Sequence, residues 1–364
     1  MDSFRERLEE KLLTLPNVRA LDESAAESIG RAKDGNFGRS YLGFLLYCHG
    51  RNPRGMSRNI PNGLLYADND TMFGIGIFRR QGETRGGHLM VVAPDGPNPV
   101  EAVQSFIEQV NAAAPHAVSR CFVRFLDYEN YRDFLEWDFL PITEDPWHPH
   151  APAEDETFCH SDVDLTSAFE GASNENGRVV PRRRRLRDDC HRFQNFLDRH
   201  GIDMRQMPFD SKDAKTIVKN HFNMTQRLGR NVGSVAQDYE SLLEADLSHP
   251  DRFGFMLAAV RQGRTLPVSV FAGEKTSHNK MALYCSITHR DASAWSRNLG
   301  LPTQLTGFSA LGTYAYWQAF CEIKKRFPEV THVQLGGSET ADLDAFKRRM
   351  GAKMEPTYWA VKRF

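Results

Sequence analysis

QLGGSETADLDAFKRRMGA, residues 334–352, lies just before the last strand predicted for this chain of 364 residues. The segment opens like a strand, turns at Gly336-Gly337, and continues as a short amphipathic helix that ends at Gly351. Because glycine lacks a Cβ, the main chain at this turn can take a positive φ or come close to a ligand. The first N–H groups of the helix are free to face negative charge. The segment therefore predicts a strand–turn–helix unit with room for a ligand beside the turn.

Length and composition indicate an ordinary globular chain of roughly two domains of ~150–200 residues. The formal net charge is −1, so attraction to nucleic acid or membrane has to be local. Six cysteines occur without a CxxC pair, which argues against structural zinc and favours buried free thiols. The start, MDSFRERLEEKLL, is charged and helical, and no apolar run approaches ~18 residues. We expect a cytoplasmic, reduced protein outside the membrane.

Hydrophobic periodicity predicts the same order of elements in both halves: helices, a strand meander, then helix, strand, helix, strand. The first half is predicted to contain an initial helix, a strand at 43–50, a hairpin at 63–80, a strand at 88–94, helices at 99–114 and 128–139, and strands at 121–127 and near 157–165. The second half is predicted to contain a basic helix after 181, a strand at 202–209, helices near 211–228 and 234–247, a meander over 253–291, helices at 307–328 and 340–351, a strand at 330–338 and a last strand. Residues 166–180, rich in Ser, Asn, Glu and Gly, are the predicted linker between domains 1–165 and 181–364.

This mixed α/β order resembles the GNAT N-acyltransferase fold, present twice in tandem. The C-terminal half, about 180–364, resembles the Fem-type transferases and the C-terminal domain of lysyl-phosphatidylglycerol synthases. The residues that carry the resemblance are the strand ending in Gly336-Gly337-Ser338, the Phe346-Lys347 pair and Gly351. Those families take an aminoacyl group from charged tRNA rather than an acetyl group from coenzyme A. Over 1–165 the resemblance rests on element order alone.

The resemblance implies a catalytic role for Lys347, with Phe346, in stabilising an oxyanion or orienting the donor between two splayed strands. The alternative is that Lys347 is a solvated helix residue beside Arg348 and Arg349. Tyr284 and Ser286, two apart on the third meander strand, are expected on one face, where they orient the acceptor or simply pack. The expected acceptor-binding residues are Glu339, which alternatively belongs to a helix cap, and Tyr314 and Trp317 of the long helix.

A coenzyme A-dependent GNAT carries R/Q-x-x-G-x-G/A before its long helix, where N–H groups cradle a pyrophosphate. The nearest match to this motif in the sequence is Arg297 to Pro302, with Gly300 at the first glycine position. Pro302 removes a donor N–H, so we interpret this loop as damaged or absent, which favours a tRNA donor. Residues 74–87 of the first half show no clean match, and the donor site is therefore expected in the C-terminal domain.

Clusters of basic residues predict local contact with RNA phosphates, which would make binding salt-dependent. The predicted tRNA-binding residues are Arg182, Arg183, Arg184, Arg185, Lys324, Lys325 and Arg348. The alternative is a solvated face neutralised by Asp188, Asp189 and the linker. A metal site from His148, His150, Cys159 and His160 is disfavoured, and His289 is either a general base or a satisfied strand-end histidine.

The resemblance and these residues lead to three hypotheses. The first is an aminoacyltransferase that moves an aminoacyl group from aminoacyl-tRNA to an amine of a small-molecule acceptor, of natural-product or cell-wall precursor type. It requires positioning and oxyanion stabilisation, and implies no metal or redox cofactor. The second is an N-acyltransferase that uses an acyl-coenzyme A or acyl-carrier-protein thioester. The third is a non-catalytic module that binds RNA or protein.

Overall fold

A computed structural model describes residues 3–31, 35–48, 63–68, 71–78, 86–142, 159–175, 178–181, 183–227, 239–302, 305, 307–337 and 341–364. The chain divides into two compact units, one of Met1–His160 with Glu355–Phe364 and one of Ser161–Met354. Each unit is built around its own mixed seven-stranded sheet flanked by helices. The predicted mixed α/β fold with one sheet for each half is confirmed.

The first sheet has the strand order β1-β2-β3-β4-β5-β16-β6. Its elements are α1 (Ser3–Leu12), β1 (Val18–Ala20), α2 (Glu23–Arg31), α3 (Tyr41–Cys48), β2 (Leu64–Asp68), β3 (Thr71–Phe78), β4 (Gly87–Asp95), α4 (Pro99–Ala113), β5 (Val118–Leu126), α5 (Tyr128–Glu136), β6 (Leu140–Pro141) and the final strand β16 (Tyr358–Arg363). α4 begins with Pro at its first turn, where the missing N–H costs nothing, and buries Val103, Phe106 and Val110.

The strand predicted at 43–50 is wrong, because this segment forms the helix α3. It is apolar nearly all round, with Leu42, Phe44 and Leu45 almost completely buried. A short run without polar positions shows neither the period of a helix nor that of a strand. Its burial was therefore readable from the sequence, but its backbone conformation was not.

The second sheet has the order β10-β11-β12-β13-β14-β7-β15. The elements of this half are β7 (Cys159–Asp164), α6 (Leu165–Phe169), β8 (Ser173–Glu175), β9 (Arg178–Val180), α7 (Arg184–His200), β10 (Asp203–Met207), α8 (Ser211–Arg227), α9 (Glu240–Glu244), β11 (Arg252–Arg261), β12 (Arg264–Lys275), β13 (Lys280–Thr288), α10 (Ala292–Leu299), a 3-10 turn (Phe308–Ala310), α11 (Leu311–Arg326), β14 (His332–Gln334), α12 (Ala341–Met350) and β15 (Ala352–Pro356). Large apolar side chains of α7, α11 and the meander strands fill its core.

Two strands join the sheet of the opposite half of the sequence. β7 lies between β14 and β15 in the second sheet, and Val163 pairs with Val333. β16 lies between β5 and β6 in the first sheet, and Val361 pairs with Phe122. The expected boundaries at 165 and 181 therefore differ from the compact units at both of these strands. The expected linker, 166–180, contains α6 and the hairpin of β8 and β9.

Candidate active site between two parting strands

The parallel strands β13 and β14 pair over three positions only and then separate. Their last pair is Ala282 with Gln334, although β13 continues to Thr288. Beyond that point the chain after β14 stays with β7, since the N–H of Leu335 donates to the carbonyl of Ser161 at 2.8 Å. The edge of β13 from Leu283 to Thr288, which we call the open edge, therefore has no β14 partner among the described residues.

The first unit differs at the equivalent parallel pair, β4 and β5. These strands pair from Gly87 with Val118 as far as Val92 with Arg124, with one register shift between Gly87 and His88. Arg39, almost fully buried, donates to the carbonyls of Ala93 at 3.4 Å and Pro94 at 3.1 Å. Strand pairing and a buried side chain thus fill this place in the first unit.

A β-bulge at Tyr284 sets which side chains face α11. Ala272 of β12 pairs with Cys285 and Gly273 pairs with Leu283, so Tyr284 is the extra residue. Leu283 lies in the core with α11, and the hydroxyl of Ser286 accepts a hydrogen bond from Tyr316 of that helix at 2.7 Å. Ser286 therefore shares the face of Leu283. The expectation that Tyr284 and Ser286 share one face is wrong, because the bulge shifts the two-residue alternation.

The register of β12 and β13 shows where the main-chain groups of the open edge point. The N–H of His289 donates to the carbonyl of Val268 at 2.7 Å, and the hydroxyls of Ser269 and Thr288 lie 3.2 Å apart. Ser269 and Thr288 are thus a non-hydrogen-bonded pair, whose own N–H and C=O groups face away from the partner strand. By alternation the same holds for Ser286. The main-chain groups of Ser286 and Thr288 consequently face the side that β14 has left.

Lys347 lies buried beside the turn that follows β14. Its side chain is 2 % exposed, and its ammonium donates to the carbonyl of Gly336 at 3.0 Å and to that of Gly337. Gly336 has φ of 70°, a conformation that glycine adopts without strain. The alternative of a solvated Lys347 is therefore wrong. Ser338 and Glu339, the next residues of the predicted turn, lie outside the described residues.

Aromatic and cationic groups meet beside this turn. Phe346 packs against Tyr316 with ring centroids 5.2 Å apart, and the Arg290 guanidinium lies 5.7 Å from the centroid of Phe346. Arg290 also lies over the first turn of α11, since a Cβ on Gly312 would come within 2.0 Å of its Nη2. Burial raises the pKa of Tyr316, while the Ser286 hydrogen bond and the charge of Arg290 oppose that rise.

Arg297 and Gly300 lie at the end of α10 rather than at the start of α11. Gly300 caps α10 in the left-handed conformation, and Arg261 donates to its carbonyl at 2.9 Å. The segment that does precede α11 is Gln-Leu-Thr-Gly-Phe-Ser, 304–309, of which 304 and 306 lie outside the described residues. It has the Q-x-x-G spacing, with Ser in place of the final Gly or Ala and Gly307 at φ 92°. A Q-x-x-G spacing therefore does occur directly before α11, and spacing counted back from the start of that helix would have found it.

The predicted tRNA-binding residues fall into two groups. Arg184 and Arg185 are exposed on α7, with Arg184 only 3.9 Å from Asp188, whereas Arg182 lies outside the described residues. The others have partners within the fold: Arg183 with the carbonyl of Met350 and the hydroxyl of Ser167, Lys324 with the carbonyls of Pro328 and Val330, Lys325 with Glu322, and Arg348 with Asp344. Among the described members of this set, Arg184, Arg185, Lys325 and Arg348 are exposed, and Arg184 and Arg185 are adjacent on α7.

Tyr314 and Trp317 are core residues of α11. Trp317 is 1 % exposed, donates its indole N–H to the carbonyl of Val179 at 2.7 Å and stacks on Phe169. Tyr314 packs against Phe193 of α7, with ring centroids 5.0 Å apart. Both side chains are thus used in packing, and this geometry does not support the acceptor-binding role predicted for them.

Two histidines, His221 and His289, lie close together at the end of β13. The sequence analysis did not select His221 as a site residue. Nδ1 of His221, on α8, lies 3.1 Å from the carbonyl oxygen of Thr288. Burial lowers the pKa of His221 to about 4; the Thr288 hydrogen bond opposes this shift, and Arg290 and His289 add to it. Burial also lowers the pKa of His289, whose Nδ1 has no hydrogen-bond partner among the described residues. His221 and Thr288 are 67 positions apart, so no local pattern connects them.

The described residues contain neither a candidate metal site nor a candidate membrane-spanning helix. No three His, Cys, Asp or Glu side chains converge there. His148 and His150 fall outside this part of the chain. None of its helices is both long and apolar enough to cross a bilayer.

No protein-family model matches the sequence, and no curated protein matches it. Solved structures match it over nearly its whole length. A conserved protein of unknown function from Bacteroides thetaiotaomicron is 10% identical, with 96% of this chain and 100% of that one covered and a TM-score of 0.59. FemX is 9% identical, with 100% and 97% covered and a TM-score of 0.54. The C-terminal domain of a protein assigned as a lysylphosphatidylglycerol synthetase from Agrobacterium fabrum is 13% identical, with 93% of each chain covered and a TM-score of 0.51.

At these identities the comparisons show the fold. The chain shares its fold of two mixed α/β units with FemX and with the lysylphosphatidylglycerol synthetase domain, and the predicted resemblance to them is confirmed at that level.

Proposed function

We propose that this protein is a GNAT-like acyltransferase whose C-terminal unit moves an aminoacyl group from aminoacyl-tRNA to an amine of a small acceptor. The observation that carries the proposal is the parting of β13 from β14, with Lys347 buried beside the turn that follows β14. Such a gap offers main-chain groups that a continuous sheet would have paired. The first unit has paired strands and Arg39 at the equivalent place, which supports a donor site in the second unit.

The proposed reaction converts an ester to an amide. The amine nitrogen attacks the acyl carbon, a C–N bond forms and the C–O bond to ribose breaks. The ribose oxygen leaves with the bonding electron pair and takes up a proton, while the amine loses one. Negative charge grows on the carbonyl oxygen, and donors at the open edge, such as the N–H of Ser286, suit its stabilisation.

The proposal of tRNA as donor is supported by exposed positive charge on α7, where Arg184 and Arg185 form part of a basic first half of the helix. Phosphate contacts from such residues give binding that weakens as salt rises. A second candidate donor, an acyl-coenzyme A or acyl-carrier-protein thioester, is favoured by one observation. That observation is the Q-x-x-G spacing of 304–309 directly before α11.

Filter binding of bulk aminoacyl-tRNA against deacylated tRNA, over a salt series and with coenzyme A as competitor, separates the candidates. The tRNA-dependent proposal requires preference for charged tRNA, a steep salt slope and no displacement by coenzyme A. Release of the amino acid to an added amine mixture is then measured with the charged tRNA that binds. Displacement by coenzyme A would instead identify the thioester enzyme. Binding of RNA without turnover would identify a non-catalytic module.

A further inference from the structure

The imidazole of His221 reaches the open edge of β13 from a different element, α8. The carbonyl of Thr288 faces away from β12, as the register shows, and His221 Nδ1 lies 3.1 Å from this oxygen. A carbonyl oxygen only accepts hydrogen bonds, so Nδ1 carries the hydrogen. The ring therefore lies on the side of β13 from which β14 has departed.

Fixing the hydrogen on Nδ1 leaves Nε2 of the neutral ring as a hydrogen-bond acceptor. No hydrogen bond to Nε2 is formed among the described residues. The low pKa of His221 keeps the ring neutral at pH 7, so the lone pair on Nε2 is not occupied by a proton. His221 thus presents an acceptor atom at an edge that otherwise exposes main-chain N–H and C=O groups.

The surroundings of His221 favour a neutral N–H donor over a cation. Arg290 and His289 both lower the pKa of His221. The charge of Asp291 raises the pKa of His289 and so opposes the effect of burial on that residue. A positive charge close by disfavours a protonated amine in the same way as it disfavours imidazolium. His289 is 5 % exposed, and its Nδ1 is a buried nitrogen without a hydrogen-bond partner among the described residues.

We infer that His221 binds the attacking amine: Nε2 accepts an N–H of the uncharged acceptor amine and turns the amine lone pair toward the acyl carbon at the open edge of β13. This inference rests on the proposed function and adds the acceptor subsite to it. It assigns a catalytic role to a residue of α8, a helix that contains none of the site residues predicted from the sequence.

Two substitutions separate the two nitrogens of the ring. His221→Asn places an amide nitrogen close to the position of Nδ1, so it keeps a donor for Thr288 and removes the Nε2 acceptor. His221→Gln reaches the position of Nε2 with an amide oxygen and loses the donor to Thr288. His278→Gln, on the exposed turn between β12 and β13, is the control for loss of a histidine.

The assay measures amide formation in the full-length protein, with the charged tRNA and amine identified as above. We expect His221→Asn to lower kcat/KM for the amine by roughly tenfold to a hundredfold and to leave KM for the charged tRNA unchanged. His221→Gln should retain more activity than His221→Asn, and His278→Gln should equal wild type. A purely structural role predicts the reverse order of the two His221 variants, and that result would overturn the inference.

A second readout does not depend on turnover. NMR spectra of wild-type protein labelled with ¹⁵N-histidine report the tautomer of each ring. The signals of His221 are assigned by their absence in His221→Gln. We expect them to show the neutral Nδ1–H tautomer at pH 7. An Nε2–H tautomer or an imidazolium would overturn the inference even if transfer occurs. Absence of transfer in wild type overturns the proposed function, whereas transfer that survives unchanged in His221→Asn overturns this inference alone.

Discussion

The ammonium of Lys347 donates to the main-chain carbonyl of Gly336 at 3.0 Å, eleven residues earlier in the chain. The bond joins α12 to the turn that follows β14, and the same carbonyl accepts the N–H of Ser161 on β7 at 3.1 Å. The carbonyl of Gly337 accepts from the same ammonium. One buried side chain thus holds the shape of the turn that follows β14.

Lys347→Met keeps an aliphatic stem of similar length and removes the donors to both glycine carbonyls. We expect the protein to lose about 1–3 kcal/mol of unfolding free energy, because buried carbonyls lose charge-assisted hydrogen bonds. Urea unfolding measures this change. If the ammonium also stabilises the oxyanion, kcat of transfer should fall by roughly a hundredfold or more.

Arg348→Met is the matched control for Lys347→Met. Arg348 is exposed and pairs with Asp344 one helical turn away. Its substitution should change the unfolding free energy by less than about 0.5 kcal/mol. Equal stability losses for Lys347→Met and Arg348→Met would contradict the buried role of Lys347.

Gly351→Ala is expected to destabilise the protein through two separate effects. Gly351 has φ of 92°, which an alanine adopts at a cost of about 1–2 kcal/mol. A Cβ there would lie 1.4 Å from Nη1 of Arg183, which would have to leave Met350 and Ser167. We expect a further loss of about 1 kcal/mol from those hydrogen bonds, measured by urea unfolding.

Gly263→Ala separates these two effects, since Gly263 has φ of 77° and no atom within 4 Å of the added Cβ. This variant should lose only the unfolding free energy that a positive φ costs an alanine, about 1–2 kcal/mol. In the Arg183→Ala background, Gly351→Ala should become as mild as Gly263→Ala. An unchanged cost in that background would show that Arg183 is not the residue that requires glycine at 351.

Ser286→Ala tests the hydrogen bond between Tyr316 and Ser286. Burial raises the pKa of Tyr316, and the hydrogen bond between Tyr316 and the Ser286 hydroxyl opposes that rise. Removing the Ser286 hydroxyl should therefore raise the pKa of Tyr316 further. The measurement is an alkaline absorbance titration of tyrosinate, with Tyr316→Phe subtracted to isolate this phenol. A fall in the pKa in Ser286→Ala would disprove the contact.

Glu9 makes the stability of the protein depend on pH. Burial raises the pKa of this α1 carboxyl to about 7; Arg5 opposes the rise and Glu6 adds to it. The folded state therefore holds a proton that the unfolded state releases above about pH 4.5. The resulting stabilisation is complete below that pH and is lost as pH rises through 7.

Glu9→Gln removes this titration, so its melting temperature relative to wild type should be higher at pH 8 than at pH 5. Thermal scans at the two pH values measure the difference. Glu6→Gln, on the same helix, is the control and should show a smaller change with pH. The same pH response in both variants would exclude Glu9 as the source.

Local patterns predicted most of the second half correctly. The meander strands β11, β12 and β13, the long helix α11 and the helix α12 lie close to where periodicity and caps placed them. These elements have apolar faces of sufficient length for their period to be read. The Phe346-Lys347 pair was selected through the resemblance to Fem-type transferases, and the structure shows both of its side chains to be buried.

Most of the order of helices and strands and the mixed α/β class therefore follow from side-chain periodicity over neighbouring residues. The entry of β7 and β16 into the sheet of the opposite half, the separation of β13 from β14 and the contact of His221 with Thr288 follow only from the folded chain. Strand partners are chosen through main-chain hydrogen bonds, which are the same chemistry for nearly every residue. The position of a strand within a sheet is thus settled by packing of the whole chain, and with it the geometry of the candidate site.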